Sequence, residues 1–305
     1  MALMAESVSK TYRGGQVALA NVTMAVEAGT ATAVLGPNGA GKSTLMNLLL
    51  GLLNATGGTV SVMGAEPRAA VARGWVGAML QETTLPNLVT VSELLRHIGS
   101  LYPRPLSVGQ CLAEAGIADL ASRRVDRLSG GQRRRVAFAV AIVGRPAVVF
   151  LDEPTEGMDI EARQGFWDRL ATFRREQATT VLFSTHDLTE ADRYADRIVL
   201  LAQGQVVAAD APETLKAKMG RRRVTFQAPT ERSAADLSGA LGVEVTAGPL
   251  PGQFSAWTGD TDHVLRRLAP DHACHDFQVV SDSLDEVFRS LVAEGRNNEA
   301  EGARR

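Results

Sequence analysis

The stretch ATAVLGPNGAGKSTLMNLLL, residues 31–50, decides the fold class of this chain of 305 residues. ATAVLG is short and apolar, as in a buried strand, and the residues after Lys42 have a helical pattern. The turn between them, GPNGAGKST at Gly36–Thr44, matches the phosphate-loop pattern GxxxxGK[ST] in its strand–turn–helix context. A glycine-rich turn with an incidental lysine is the alternative interpretation, and this context makes it the weaker one.

The loop carries the groups that bind phosphate. Its backbone can turn successive N–H groups inward, as an anion nest at a helix N-terminus. We expect Lys42 to reach the β- and γ-phosphates, Ser43 to bind Mg²⁺ and Thr44 to bond a phosphate oxygen. The expected nucleotide-binding residues of the loop are Gly36, Pro37, Asn38, Gly39, Ala40, Gly41, Lys42, Ser43 and Thr44.

Two more apolar, β-branched segments, 147–152 and 179–185, predict central strands of a largely parallel α/β sheet. The first ends in Asp152 and Glu153, at the sheet edge where ligands bind in such folds. We expect Asp152 to hold Mg²⁺ and Glu153 to polarise the water that attacks the γ-phosphate. His186 follows the second strand. A lone histidine is more often structural, but its place at this edge favours a γ-phosphate contact.

Composition narrows the class of protein. The formal net charge is −2 and the sequence pI about 6.2, which give no reason to expect a nucleic-acid ligand. Two cysteines far apart favour a reducing cytoplasm over a disulfide framework. The N-terminus lacks a signal-peptide pattern, and no apolar run approaches the roughly 20 residues that span a bilayer. A membrane role is therefore expected only through a partner.

LSGGQRRR, at Leu128–Arg135, narrows the choice further. Ser129 can cap a helix that starts near Gly131, and that N-terminus attracts phosphate; a simple turn with a cap is the alternative. With the other motifs in order, the string resembles the signature of ATP-binding cassette (ABC) nucleotide-binding domains, over about residues 3–215. The resemblance implies a P-loop NTPase cassette with a mostly parallel sheet, a helical signature subdomain at about 82–135, ATP and Mg²⁺.

The resemblance also implies roles for other residues. Tyr12 is similar to the aromatic that stacks on adenine, and Gln81 to the glutamine that senses Mg²⁺ and the attacking water. The segment 156–159 resembles the family's D-loop, in which Asp159 matches the residue that reaches across a head-to-tail dimer. Glu156 departs from the family pattern, because a small or neutral residue is common at its position. Each ATP then lies between the phosphate loop of one chain and the signature of a second ATP-binding subunit. The signature residues expected to bind it are Ser129, Gly130, Gly131 and Gln132.

A second domain is expected after the cassette at 1–220. The accessory α+β domain is expected at 221–294, where a βαββαβ order is compatible with a ferredoxin-like fold. A last helix follows that order at 283–295, and a disordered tail is expected at 295–305. The string SLDEVFRSLV near its end resembles the accessory domain of drug-exporter ATPases of the daunorubicin type. His272, Cys274 and His275 invite a zinc site, although their spacing fits no standard pattern and a plain loop is the simpler interpretation.

Two function classes follow. The first is the ATPase subunit of an ABC exporter, peripheral on the inner face of the plasma membrane through a separately encoded permease. The second is a soluble ABC protein acting on ribosomes or translation; an importer ATPase is a further alternative. One phosphate loop, one signature and no sustained heptads favour the transporter over ribosomal or DNA-repair members.

Overall fold

Strands and helices alternate along the chain in the computed structural model, which describes residues 1–81, 84–218 and 222–281. The strands are β1 (Leu3–Thr11), β2 (Val17–Val26), β3 (Ala31–Leu35), β4 (Gly57–Val62), β5 (Val76–Met79), β6 (Val148–Asp152), β7 (Thr180–Ser184), β8 (Arg197–Ala202), β9 (Gln205–Asp210), β10 (Arg222–Gln227), β11 (Glu244–Ala247), β12 (Gln253–Thr258) and β13 (His275–Ser281). The α-helices are α1 (Lys42–Leu49), α2 (Pro67–Ala72), α3 (Val91–Gly99), α4 (Val108–Glu114), α5 (Gly130–Ile142), α6 (Ile160–Gln177), α7 (Leu188–Tyr194), α8 (Pro212–Lys218), α9 (Ala234–Leu241) and α10 (Thr261–Leu268). Two short 3-10 helices, at Ala118–Leu120 and Val125–Arg127, lie between α4 and α5.

A six-stranded sheet in the order β5-β6-β7-β3-β8-β9 forms the centre of the first unit. Its strands run parallel except for β9, which pairs antiparallel with β8 through the predicted hairpin turn at Gln203 and Gly204. Every residue of β3, β6 and β7 is buried, as the continuous apolar runs predict. The carboxyl ends of these neighbouring strands meet at one edge, which brings their following loops together.

A second, antiparallel sheet of order β2-β1-β4 was not among the sequence expectations. Its strands are half-buried, and register shifts in β1 interrupt their alternation, which weakens the period-2 signal. Leu3 and Val22 of this sheet join one hydrophobic core with Leu45 of α1 and Val34 and Phe150 of the central sheet. This core holds the phosphate-loop helix between the two sheets.

Helices α3, α4 and α5 form the helical segment that was expected at about 82–135. The first of them begins at Val91, where Thr90 and Glu93 make a capping box, and the last continues to Ile142. The extension beyond Arg135 is apolar and buried, so the helix that carries the signature also packs into the protein interior. Among the described residues, no helix is long and apolar enough to cross a membrane.

The chain divides into two units, Met1–Ala211 and one that begins at Pro212. The division precedes α8, so it falls earlier than the expected boundary between Gly220 and Arg221. The second unit has a four-stranded antiparallel sheet of order β11-β12-β10-β13 and the chain order βαββαβ, which is the ferredoxin-like arrangement. Its own core is lined by residues such as Val224, Phe226 and Leu237.

The residues considered for a zinc site, His272, Cys274 and His275, lie just before β13 and at its first position. Cys274 is buried, and its Sγ accepts a long contact of 3.9 Å from Arg232 Nη1, while His272 and His275 are exposed. Within the described ranges, no group of three or more His, Cys, Asp or Glu side chains is placed to hold a metal ion. The expected helix at 283–295 and the tail at 295–305 lie outside the described residues.

Candidate active site

The loop between β3 and α1 has the backbone that its glycines permit. Gly39 has φ +80° and Gly41 φ +104°, both in the left-handed region that favours glycine. A Cβ on Gly41 would also lie 2.6 Å from the carbonyl oxygen of Ala18 and 2.6 Å from a methyl of Leu19. The expected phosphate loop therefore forms as a tight turn against β2, and its helix starts at Lys42.

The beginning of α1 is open to an anion. Within residues 1–81, no side chain caps this helix, whereas α3, α5 and α6 all begin with side-chain caps. The first-turn N–H groups of a helix need such a partner. Lys42 points its Nζ back over the loop, 2.7 Å from the carbonyl oxygen of Gly36 and 3.3 Å from that of Pro37.

The positive charge of Lys42 is balanced by the carboxylates at the end of β6. Burial lowers the pKa of Lys42, and the carboxylates of Glu153 and Asp152 oppose that shift. Ser43 is exposed, Thr44 is partly buried, and Ala40 is buried with its N–H 3.1 Å from the carbonyl oxygen of Pro37; Pro37, Asn38 and Gly39 are exposed.

Tyr12 reaches the same loop from the end of the hairpin between β1 and β2. Its hydroxyl lies 3.2 Å from Thr44 Oγ1, and its side chain is partly exposed. Lys10 Nζ lies 5.5 Å from the centre of the Tyr12 ring. An aromatic face is thus held beside the phosphate loop, where it is open to solvent.

The acidic pair occupies the end of β6. Asp152 is buried and accepts a hydrogen bond from Ser184 Oγ on β7. Glu153 has φ +49°, an uncommon conformation for a residue with a side chain, and such strain persists only where neighbours hold it. Its N–H donates to Ser184 Oγ at 3.0 Å, and its carbonyl oxygen accepts from Arg134 Nη1 at 2.7 Å.

His186 contacts the acidic pair directly. Its Nδ1 lies 2.8 Å from Glu153 Oε2, and its side chain is 67% exposed. The side chain of Glu153 is only 13% exposed, so the carboxylate that the histidine contacts is largely shielded from solvent. The structure thus brings together Asp152, Glu153 and His186 at the edge where the phosphate loop also lies.

A buried carboxylate that sequence reasoning missed ties this edge together. Glu190 of α7 accepts hydrogen bonds from Thr155 and Thr185, which follow β6 and β7, and its exposed fraction is 4%. Asp187 caps α7 and pairs with Arg163 at 3.0 Å. The sequence offered one signal, a carboxylate four positions after His186 on a helical stretch.

The signature residues lie at the start of α5. Ser129 and Gln132 form a reciprocal capping box, with Gln132 N–H 3.3 Å from Ser129 Oγ and Ser129 N–H 3.0 Å from Gln132 Oε1, which confirms the expected cap. The helix starts at Gly130, one residue before the expected position. Within the described residues, no hydrogen bond joins this N-terminus to the phosphate loop of the same chain.

The two remaining candidates stand apart from the acidic pair. Gln81 is exposed in the turn after β5, and among the described residues its side chain makes no hydrogen bond to that pair. Asp159 caps α6 by accepting from the Ala162 N–H at 2.8 Å. It follows Gly157 and Met158, which lie near Gly131 at the start of α5.

Together these groups fit a nucleoside triphosphate and its metal. The uncapped helix start and Lys42 suit phosphate oxygens. The buried carboxylate of Asp152 and the hydroxyl of Ser43 are oxygen donors of the kind that Mg²⁺ prefers.

Comparison with known proteins identifies the family. A family profile described as ABC transporter matches residues 19–156. The chain is 34% identical over 308 residues to the daunorubicin/doxorubicin resistance ATP-binding protein DrrA of Streptomyces peucetius, which covers 95% of this chain and 92% of that protein. The chain belongs to the ABC transporter family. It is an ABC ATPase, and the nucleotide and metal of this family are ATP and Mg²⁺.

Two other similarities bear on function. The chain is 35% identical over 250 residues to the phosphonates import ATP-binding protein PhnC of Hyphomonas neptunium, a match that covers 76% of this chain and 94% of that protein. A solved dimeric ATP-binding cassette in a post-hydrolysis state, bound to ADP and Pi, superposes with a TM-score of 0.63 at 28% identity, covering 69% of this chain and 98% of the other. The ABC cassette fold of the first unit is therefore established.

Proposed function

We propose that this ABC ATPase powers export through a separate membrane permease, as a head-to-tail dimer with a second ATP-binding subunit on the inner face of the membrane. The observation that carries the export proposal is the extent of the match to the daunorubicin resistance protein. A match over 95% of the chain includes most of the second unit, whereas the 76% match to the phosphonate importer need not. The dimeric relative supports the pairing of two subunits.

The site residues have distinct roles in this proposal. Lys42 and the loop backbone bind the β- and γ-phosphates, and Tyr12 stacks on the adenine. Glu153 accepts the proton of the attacking water. His186 contacts the Glu153 carboxylate and also binds the γ-phosphate. Asp152, Ser43 and Gln81 would hold Mg²⁺, which would neutralise negative charge on the phosphate groups.

The second subunit completes each site. Ser129, Gly130, Gly131 and Gln132 present the N-terminus of α5 to the nucleotide of the partner, and Asp159 contacts the partner near that site. The support is geometric: within the described chain this helix N-terminus makes no hydrogen bond to its own phosphate loop, and it belongs to the signature-like string.

Nucleotide binding tests the loop assignment. Lys42→Ala should weaken ATP binding by on the order of 1.5–3 kcal/mol, because a charge-assisted phosphate contact is lost, and it should abolish measurable hydrolysis. Lys42→Arg should not rescue hydrolysis, since the planar fork does not replace a compact ammonium inside the loop. Isothermal titration and phosphate release measure both effects. Near-normal turnover of Lys42→Ala would contradict the assignment.

Transport tests the direction. Inverted membrane vesicles that contain this chain and its co-purifying permease should accumulate a daunorubicin-type anthracycline when ATP is added. Vesicles with the Glu153→Gln chain should not accumulate it. The export proposal fails if the wild-type complex instead drives ATP-dependent uptake of the same anthracycline into intact cells.

A further inference from the structure

We propose that Arg134 is a positioning residue for ATP hydrolysis, which holds the backbone of Glu153, and that Glu156 fixes Arg134 in that place. The inference deepens the proposed function and rests on its assignment of Glu153 as the hydrolytic carboxylate. It also gives a role to Glu156, which stands where the ABC family commonly has a small or neutral residue.

One guanidinium joins two points of the loop after β6. Arg134 Nη1 donates to the carbonyl oxygen of Glu153 at 2.7 Å, and Nη2 pairs with Glu156 Oε2 at 2.8 Å. The side chain of Arg134 is 19% exposed and that of Glu156 46%. The arginine fork suits such a two-point contact, because its donors keep a fixed geometry.

The bond to Glu153 acts on a strained residue. With φ at +49°, Glu153 keeps its conformation only while both adjoining peptide groups are held. Ser184 holds its N–H at 3.0 Å, and Arg134 holds its carbonyl. The Glu156 N–H also donates to that carbonyl at 3.3 Å, so residue 156 contacts both the carbonyl and, through its carboxylate, the arginine that binds it.

The pair also cancels a charge where the second subunit is proposed to bind. Glu156 would otherwise present an unpaired carboxylate beside Gly157, close to the start of α5. Arg134 lies on that same helix, so the link connects the signature of one site to the hydrolytic carboxylate of the other. Arg134 touches Glu153 through its backbone alone and is therefore a positioning residue, not a catalytic one.

Rate measurements on the full chain test the proposal. Arg134→Met keeps the apolar stem and removes every donor. Its single-turnover rate constant for ATP hydrolysis should fall by about 10²-fold, the cost of misplacing a reacting group by about 1 Å. The ATP concentration at half-saturation should change by less than about twofold, because within the described part of the chain Arg134 makes no hydrogen bond or ion pair with the phosphate loop. Arg175→Met, at an exposed arginine near the end of α6, is the matched control and should keep the wild-type rate.

A double variant separates this inference from the function on which it rests. If Arg134 acts through Glu153, adding Arg134→Met to Glu153→Gln should cost less than about threefold more, since residues that act as one unit are not additive. An equal loss in both backgrounds would overturn the inference. Retention of the wild-type rate by Glu153→Gln alone would instead refute the assignment of Glu153.

A milder variant keeps the test decisive if Arg134→Met does not fold. Arg134→Lys retains one charged donor and loses the fork, so its rate constant should lie about threefold to tenfold below wild type. Glu156→Gln keeps an acceptor oxygen and should cost less than Arg134→Lys. A wild-type rate for Arg134→Lys, or a larger loss in Glu156→Gln than in Arg134→Lys, would show that the fork does not position Glu153.

Discussion

At the scale of single residues, Tyr12 offers a way to separate stacking from hydrogen bonding. Its ring is partly exposed beside the phosphate loop, and its hydroxyl lies 3.2 Å from Thr44 Oγ1. Tyr12→Ala should weaken ATP binding by about 0.5–1.5 kcal/mol, the usual value of an aromatic stack. Tyr12→Phe should stay within about twofold of wild type, because water replaces the exposed hydroxyl contact. Equilibrium titration of both variants measures the difference, and equal losses would mean that the hydroxyl, not the ring, carries the effect.

The residues that motifs single out were predictable, and those that hold them in place were not. Lys42, Asp152 and Glu153 stand at fixed positions in strings whose chemistry is local, so the printed sequence suffices to find them. Arg134 and Glu190 act through contacts with residues that lie 19 and 35 positions away in the chain. The local sequence of a helical turn does not distinguish an arginine that binds a distant carbonyl from one that faces water.

At the scale of elements, α5 connects the signature to the protein interior. Its first turn is capped by Ser129, and its last two turns are apolar and buried. A mixture of Lys42→Ala chains and Ser129→Arg chains tests whether this N-terminus serves a partner. In a mixed dimer both defects fall on one interface and the other interface is intact, so ATPase activity should return above that of either variant alone. Phosphate release, measured as the mixing ratio is varied, gives the result.

The outcome of mixing depends on folded chains, so Ser129→Arg needs its own control. Ser129→Ala removes only the cap and should cost about 1 kcal/mol of stability, which thermal unfolding detects. If Ser129→Arg alone hydrolyses ATP at the full rate, the signature takes no part in the reaction.

Elements were predicted where their pattern is uniform. The strands β3, β6 and β7 are buried on both faces and read as unbroken apolar runs, which is why the central sheet was expected. The sheet β2-β1-β4 was not, since its strands mix buried and exposed positions irregularly across register shifts. A phosphate loop therefore reveals the sheet that carries it, and not the sheet that packs on the other side of α1.

At the scale of the whole molecule, each unit has a hydrophobic core of its own among the residues that the structure describes. The described core of the first unit ends at Ala209, and that of the second begins at Val224. Each domain therefore has the buried surface to fold by itself. The order of strands and helices along the second unit agrees with the expected βαββαβ pattern. Each element there is short and bounded by turn residues, which mark its ends in the sequence.

Truncation separates the two units functionally. Chains cut after Ala211 or after Gly220 should both bind ATP with unchanged affinity, because the phosphate loop, acidic strand and first core are complete in each. We expect hydrolysis to fall more at low protein concentration than at high, if the second unit strengthens the pairing that completes each site. Specific ATPase activity measured against concentration, for the full chain and both cuts, decides this. Parallel curves would show that the second unit does not promote dimerisation. Loss of ATP binding in the shorter chain alone would show that α8 belongs with the cassette, as the boundary at Gly220 implies.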